Sequence, residues 1–352
     1  MRRRLFVVHC RQQEYDRTPG GDFMQGFQKV VGHQEIITHL QNAISMNKVS
    51  HAYLFGGESG SGKKMMASLF AMTLQCEKHG VEPCMECPSC KKAQSQNHPD
   101  IIYVKHEKPN TISIDEIREQ LINDVMIKPY SSPYKIYIID EAQKLTLQAQ
   151  NALLKTIEEP PAYAVVMLLA DNPDALLPTI SSRCVQLNLK PVGDQLVKDY
   201  LMNEMHVPDY QAEVDASLAQ GNIGKAERIA RSPEYEETLE SALRMAKYAD
   251  SMPLYEIVET IKKLTAEKDN IDDYFDIFSL WFRDVLVFKA TKEVDALVFK
   301  QELNGIRARA NKSSYEGLEK IIESIQKART RLNANVNFDL TMELMFLTMK
   351  EN

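Results

Sequence analysis

No run in this 352-residue sequence approaches the roughly 18 apolar residues that a bilayer-spanning helix requires. The opening stretch, MRRRLFVVHCRQQEYDRTPGGDF, holds one short apolar patch, too brief for the core of a secretory signal. These two absences argue against a membrane partner, and the expected location is the cytoplasm. An excess of positive charge is also lacking. Lys and Arg number 42 against 49 Asp and Glu, a net charge of -7. That balance argues against coating of nucleic acid by bulk electrostatics, while a local DNA-facing surface remains compatible with it. There is no internal repeat and no low-complexity segment. With 44% hydrophobic and 26% charged residues, the chain is long enough for two or three domains, each with its own core.

The pattern along the chain divides it. Residues 1–23 carry no clear periodicity and contain TPGGD; they are expected to be a disordered extension or an upstream start before Met24, with a structured arm as the alternative. From KVVGHQEIITHLQNAI onward, apolar residues fall at helical spacing through Ile36, Ile37, Leu40 and Ile44. Short apolar runs follow at HAYLFGG, DIIYV, YKIYIIDEA and AVVMLLADN, with helical segments between them. Strands buried on both faces read as continuous apolar runs, so this alternation predicts an α/β domain built on a parallel sheet and ending near Leu189. Beyond LKPVGD the strands stop. Short helices are expected over 192–232 and longer amphipathic ones over 233–352, including YFDIFSLWFRDVLVFKA. That helix carries more apolar surface than one stripe needs, through Phe275, Phe278, Trp281 and Phe282. Either it contributes to contacts with other chains or it fills its own domain's core.

Three constellations carry chemistry. In GGESGSGKKMMASLF, the glycines Gly57, Gly60 and Gly62 and then Lys63 have the spacing of a phosphate-binding loop, with a strand before and a helix after as that motif requires. The next position, where a Ser or Thr hydroxyl would ligate magnesium, is Lys64. An ammonium has no oxygen to offer a hard cation, which puts Mg·ATP binding in doubt. Pulling the other way, Asp140 and Glu141 stand at the carboxyl end of a predicted strand, where a working NTPase organises magnesium and polarises water. A solvated pair capping the next helix is the alternative.

Four of the six cysteines, Cys76, Cys84, Cys87 and Cys90, form C-x7-C-x2-C-x2-C, enough thiolates for a closed tetrahedral zinc site with no open position for catalysis. Reduced, opportunistic thiols are the alternative; His79 and His98 are spare candidates. The third constellation is NPDALLPTISSRCVQL, which places Arg183 in a loop just before the last strand of the α/β domain.

Taken together and in order, FQKVVGHQ, SHAYLFGGESGSGKK, the four-cysteine insert, IIDEAQKLTLQAQNALLKTIEEPP, LLPTISSRC and GNIGKA resemble the delta-prime subunits of bacterial DNA polymerase III clamp loaders, a match that runs from about Phe27 to the carboxyl end. The resemblance implies an AAA+ α/β domain over 24–191 with a zinc insert at 76–90, a helical lid over 192–232 and a helical collar over 233–352. It implies a hetero-pentameric ring with tau/gamma motor subunits and a delta subunit. Such a ring, part of the DNA-directed DNA polymerase holoenzyme, uses ATP to open the sliding clamp and place it on primer-template DNA. The delta-prime member is stator-like and lends an arginine, here Arg183, to the ATP site of a neighbouring motor. Against the motor pattern this chain has Lys64 for the hydroxyl, Ala170 and Asp171 for a threonine pair, and Gly224 for the lid arginine. Its loop (Gly57, Gly60, Gly62, Lys63, Lys64, Asp140, Glu141) is thus expected to be a relic or a weak nucleotide site with little ATPase of its own. A tau/gamma-type motor and a non-replicative AAA+ adaptor with a zinc module are the alternatives.

Overall fold

The computed structural model describes residues 26–352 apart from 267 and 335; the expectation for residues 1–23 lies outside that range. The chain resolves into two compact units. One contains Gln34–Gly56 and Lys63–Asn188; the other contains Val31–His33, Gly57–Gly62 and Leu189–Asn352.

The first unit is α/β. Its elements run α1 (Gln34–Ser45), β1 (Ala52–Gly56), α2 (Lys63–Leu74), α3 (Pro88–Gln94), β2 (Ile101–Tyr103), α4 (Ile114–Ile117), β3 (Lys135–Ile139), α5 (Leu147–Glu158), β4 (Ala164–Ala170), α6 (Pro178–Ser181) and β5 (Val185–Asn188). The strands form one five-stranded sheet in the order β2-β3-β4-β1-β5, and every pairing is parallel. Each residue of β1, β3 and β4 is buried, as strands covered on both faces must be. Register brings the strand ends into line. Gly56 pairs with Ala170 and with Asn188, and Ile139 pairs with Leu168. The residues that follow these strands, Asp140 and Asp171 among them, therefore emerge along one carboxyl edge, where open α/β sheets bind ligands.

The second unit is helical beyond Leu189: α7 (Asp194–Glu204), α8 (Asp209–Ala219), α9 (Ile223–Arg231), α10 (Pro233–Tyr248), α11 (Leu254–Ala266), α12 (Ile271–Thr291), α13 (Leu303–Lys312), α14 (Tyr315–Asn333) and α15 (Phe338–Glu351). Helix starts follow local chemistry. Ser232 caps α10 ahead of Pro233 in its first turn, Ser314 caps α14 and Asn337 caps α15. Helix α12 packs against α10, α13 and α14. Its Phe275, Phe278, Trp281 and Phe282 are all 0% exposed, and Phe278 meets Phe346 of α15 edge to face at 6.0 Å. The aromatic run is thus spent inside its own helical unit and offers no surface to another chain. Among the described residues no helix is long and apolar enough to cross a membrane.

Candidate nucleotide loop, metal centre and arginine site

In the α/β unit, the two lysines of the loop motif are already engaged. Lys63 Nζ lies 2.7 Å from Asp171 Oδ1, and Lys64 Nζ lies 3.0 Å from Asp140 Oδ2. Asp171 is held in turn by Gln143, whose Oε1 accepts from the Asp171 N–H at 3.1 Å and whose Nε2 donates to its carboxylate at 3.3 Å. Glu141 sits in the left-handed region (φ 51), its carboxylate 2.6 Å from Lys144 Nζ and 3.4 Å from His106 Nε2. An exposed ion pair is worth only about 0–1 kcal/mol, so the half-exposed Lys64–Asp140 pair does not by itself lock the site. The chemistry does more: the donor-only ammonium beside Asp140 has no oxygen to offer a hard cation.

In the helical unit, the loop residues Gly57–Gly62 are gripped by the start of α9. Asn222 caps that helix by accepting from Lys225 N–H at 3.0 Å, and its Nδ2 donates to Ser59 O at 2.7 Å. Gly224 N–H donates to Gly60 O at 3.0 Å. The two backbones touch. A Cβ on Gly224 would lie 2.7 Å from Gly60 O and 2.8 Å from Gly60 Cα, so no side chain fits there while this contact stands. One turn on, Arg228 forks onto Asp273 of α12 with N–O distances of 2.7 and 2.6 Å, and Lys225 pairs with Asp276, which also takes Arg329 of α14. Helix α9 is held along its first two turns. We therefore expect Gly224→Ala to lower stability by about 1–3 kcal/mol through overpacking. Helix propensity alone would favour Ala by up to about 1 kcal/mol, so the sign of the change in denaturant unfolding decides whether the contact exists.

The four cysteines converge in the α/β unit. Their Sγ atoms all lie within 4.8 Å of one another, and Cys84 Sγ is 3.9 Å from Cys90 Sγ. A tetrahedral ion with Zn–S bonds of about 2.3 Å needs sulfur edges near 3.8 Å, so the cluster fits zinc. Cys76 comes from the turn after α2, Cys84 from the loop before α3, Cys87 is the N-cap of α3, and Cys90 lies in its first turn behind Pro88. Backbone N–H groups of Cys87 and Cys90 point at the sulfurs of Cys84 and Cys87, at 3.4 and 3.3 Å. The N–H groups of Cys87 and Glu86 pull the Cys84 thiol down to about 6, whereas burial pushes Cys90 up. These residues form a structural zinc-binding site. His98 is not a ligand: its Nδ1 accepts from Asp100 N–H at 3.1 Å, leaving Nε2–H to donate toward Ser89 Oγ at 3.0 Å. That network braces the metal module from outside.

Arg183 follows α6 and precedes β5. Its Nη1 donates to Thr179 O at 3.0 Å and its Nη2 lies 3.0 Å from Glu158 Oε1 at the end of α5, with the side chain 41% exposed. At neighbouring Cys184, burial pushes the thiol up to about 12. Sequence reasoning singled out Arg183 but missed Asn222 and Glu158. The Asn-x-Gly ahead of a helix offered a cap signal for Asn222; nothing local in TIEEPP pointed to a partner for Glu158.

Two family models match the chain: "DNA polymerase III, delta subunit" over residues 32–193, and "DNA polymerase III, delta subunit, C terminal" over residues 238–351. The DNA polymerase III subunit delta' of Bacillus subtilis is 31% identical over 316 residues, covering 89% of this chain and 94% of that protein. The chain belongs to the delta-prime family of DNA polymerase III subunits. The DNA polymerase III subunit tau of Bacillus subtilis is 29% identical over 331 residues, 88% of this chain but 58% of that longer protein. Among solved structures, a DNA polymerase III gamma subunit-related protein of Thermotoga maritima aligns over 90% of the chain and 98% of its own, at 19% identity and TM-score 0.42.

Proposed function

We propose that this chain is the stator-like subunit of a DNA polymerase III clamp loader: a cytoplasmic, hetero-pentameric ring with tau/gamma motors and a delta subunit that places the sliding clamp on primer-template DNA. In this reading residues 24–191 form the AAA+ domain, 192–232 the lid and 233–352 the collar that joins the ring. Arg183 acts in trans on a neighbouring motor's ATP. The observation that carries the reading is the contrast between the two ends of the chemistry. Lys64, paired with Asp140 at 3.0 Å, supplies an ammonium where the motif needs a magnesium-ligating hydroxyl, while Arg183, just after α6 and held by Glu158 and by Thr179 O, keeps a 41% exposed side chain. A loop that lacks the magnesium-ligating hydroxyl, in a chain that also carries a solvent-accessible Arg183, supports a division of labour between subunits. Reconstitution with motor and delta subunits, followed by clamp loading with and without this chain, tests it.

The isolated chain should show no appreciable ATPase. Lys64→Thr alone should not restore turnover, because Asp171 still holds Lys63 and Gly224 still lies on Gly60. Robust hydrolysis by the unmodified chain, measured by phosphate release, would reject the stator reading in favour of a tau/gamma-type motor.

A further inference from the structure

We propose that Glu158 is a positioning residue for Arg183, holding its guanidinium in the plane from which it meets a neighbouring subunit's terminal phosphate. This rests on the reading of Arg183 as a group that acts in trans. Glu158 is the last residue of α5, with Glu159 as the C-cap and Pro160 beyond it. A helix carboxyl end carries partial negative charge, so a carboxylate there is placed against the local rule. Its compensation is Arg183, 3.0 Å away on a different element. Departures of this kind gather where a function needs them.

Two anchors act on the guanidinium. Glu158 Oε1 meets Nη2, and Thr179 O, inside the short helix α6, accepts from Nη1 at 3.0 Å. A single anchor would leave the group turning about it; two from separate helices fix both its place and its plane. With Arg183 41% and Glu158 44% exposed, the pair lies in reach of water and of an incoming anion. Glu158 takes an N–H of Nη2 and Thr179 O an N–H of Nη1, so both anchors can stay while the remaining N–H groups of the guanidinium meet a phosphate. What Glu158 supplies is order: the rotamers of a long side chain are already restricted before the neighbour's phosphate arrives. The benefit appears in the rate of the chemical step and not in nucleotide affinity.

The test uses the complete loader, reconstituted with motor and delta subunits, and reads clamp- and DNA-stimulated ATP turnover. Glu158→Ala should lower kcat at the affected site by about 2- to 10-fold, losing part of what Arg183→Ala removes. Glu158→Gln, which keeps an oxygen in place without the charge, should lose less. KM for ATP and ring assembly should stay near native. In an Arg183→Ala background neither Glu158 variant should lower kcat further. An equal fall in that background would show that Glu158 acts through the fold and overturn the proposal, as would an unchanged or raised kcat for Glu158→Ala when Arg183→Ala alone is impaired. If Arg183→Ala is itself without effect, the reading of Arg183 fails first and takes this one with it.

Discussion

Cys84→Ser, or removal of the metal by a strong chelator, should abolish binding of one zinc equivalent and unfold the segment from Cys76 to Cys90. Zinc held by structural thiolate sites contributes an apparent ~10–16 kcal/mol, comparable with the ~5–15 kcal/mol by which a whole domain is stable. The segment has little else to hold it. Besides the four sulfurs its inward ties are few: Ser89 donates to Gln75 O at 2.7 Å, Glu82 accepts from Gln41 Nε2 of α1 at 3.1 Å, and Pro83 and the short helix α3 pack inward. The damage should spread to the end of α2 through Cys76 and Gln75, and less to the sheet, whose strands are paired independently of the metal. Metal analysis of protein purified without chelator, together with hydrogen exchange across residues 63–104, would measure both effects. Less than about half an equivalent of zinc, with melting indifferent to Cys84→Ser, would remove the metal from the account.

The second large effect is expected at Arg183. Arg183→Ala should leave zinc content, folding and assembly close to native, because a half-exposed side chain in one weak ion pair carries little stability. It should nevertheless lower the clamp- and DNA-stimulated ATPase of the whole loader and slow clamp loading. An arginine supplied to a terminal phosphate is worth about 10³-fold or more at its own site. Only one of several ATP sites would lose it, so steady-state turnover should fall partially while single-turnover kinetics resolve one very slow site. Lysine should rescue poorly, since a point charge lacks the planar fork. A mutant loader that loads clamps at the native rate would show that Arg183 serves no phosphate.

Much of this protein is legible in its sequence. The strands announced themselves because a sheet covered on both faces demands unbroken apolar runs such as AYLF and VVMLLA. The metal ligands did so because a loop that wraps one ion must place its thiolates a few residues apart. The loop motif was clear for the same reason, since backbone N–H groups can cradle phosphate only through glycines at close spacing. Each of these is a local requirement, written within a few turns of chain.

What only the tertiary structure decided are pairings across long separations. Lys63 and Asp171 are 108 positions apart, and Asn222 meets Ser59 across 163. No local pattern records that Gly224 rests on Gly60, so its glycine read as a lost arginine when it is also a contact too close for any Cβ. The aromatic run of α12 could be assigned to its own core, and not to a partner, only once α10, α13 and α14 were seen to surround it. Glu158 belongs to the same class: it is an ordinary helix-end carboxylate until the fold brings α6 beside α5 and Arg183 within 3.0 Å. Composition and spacing determine which elements form and which ions or phosphates they suit. Which charges compensate each other, and which surfaces are consumed internally, depends on how separate elements pack, and packing is a property of the whole chain.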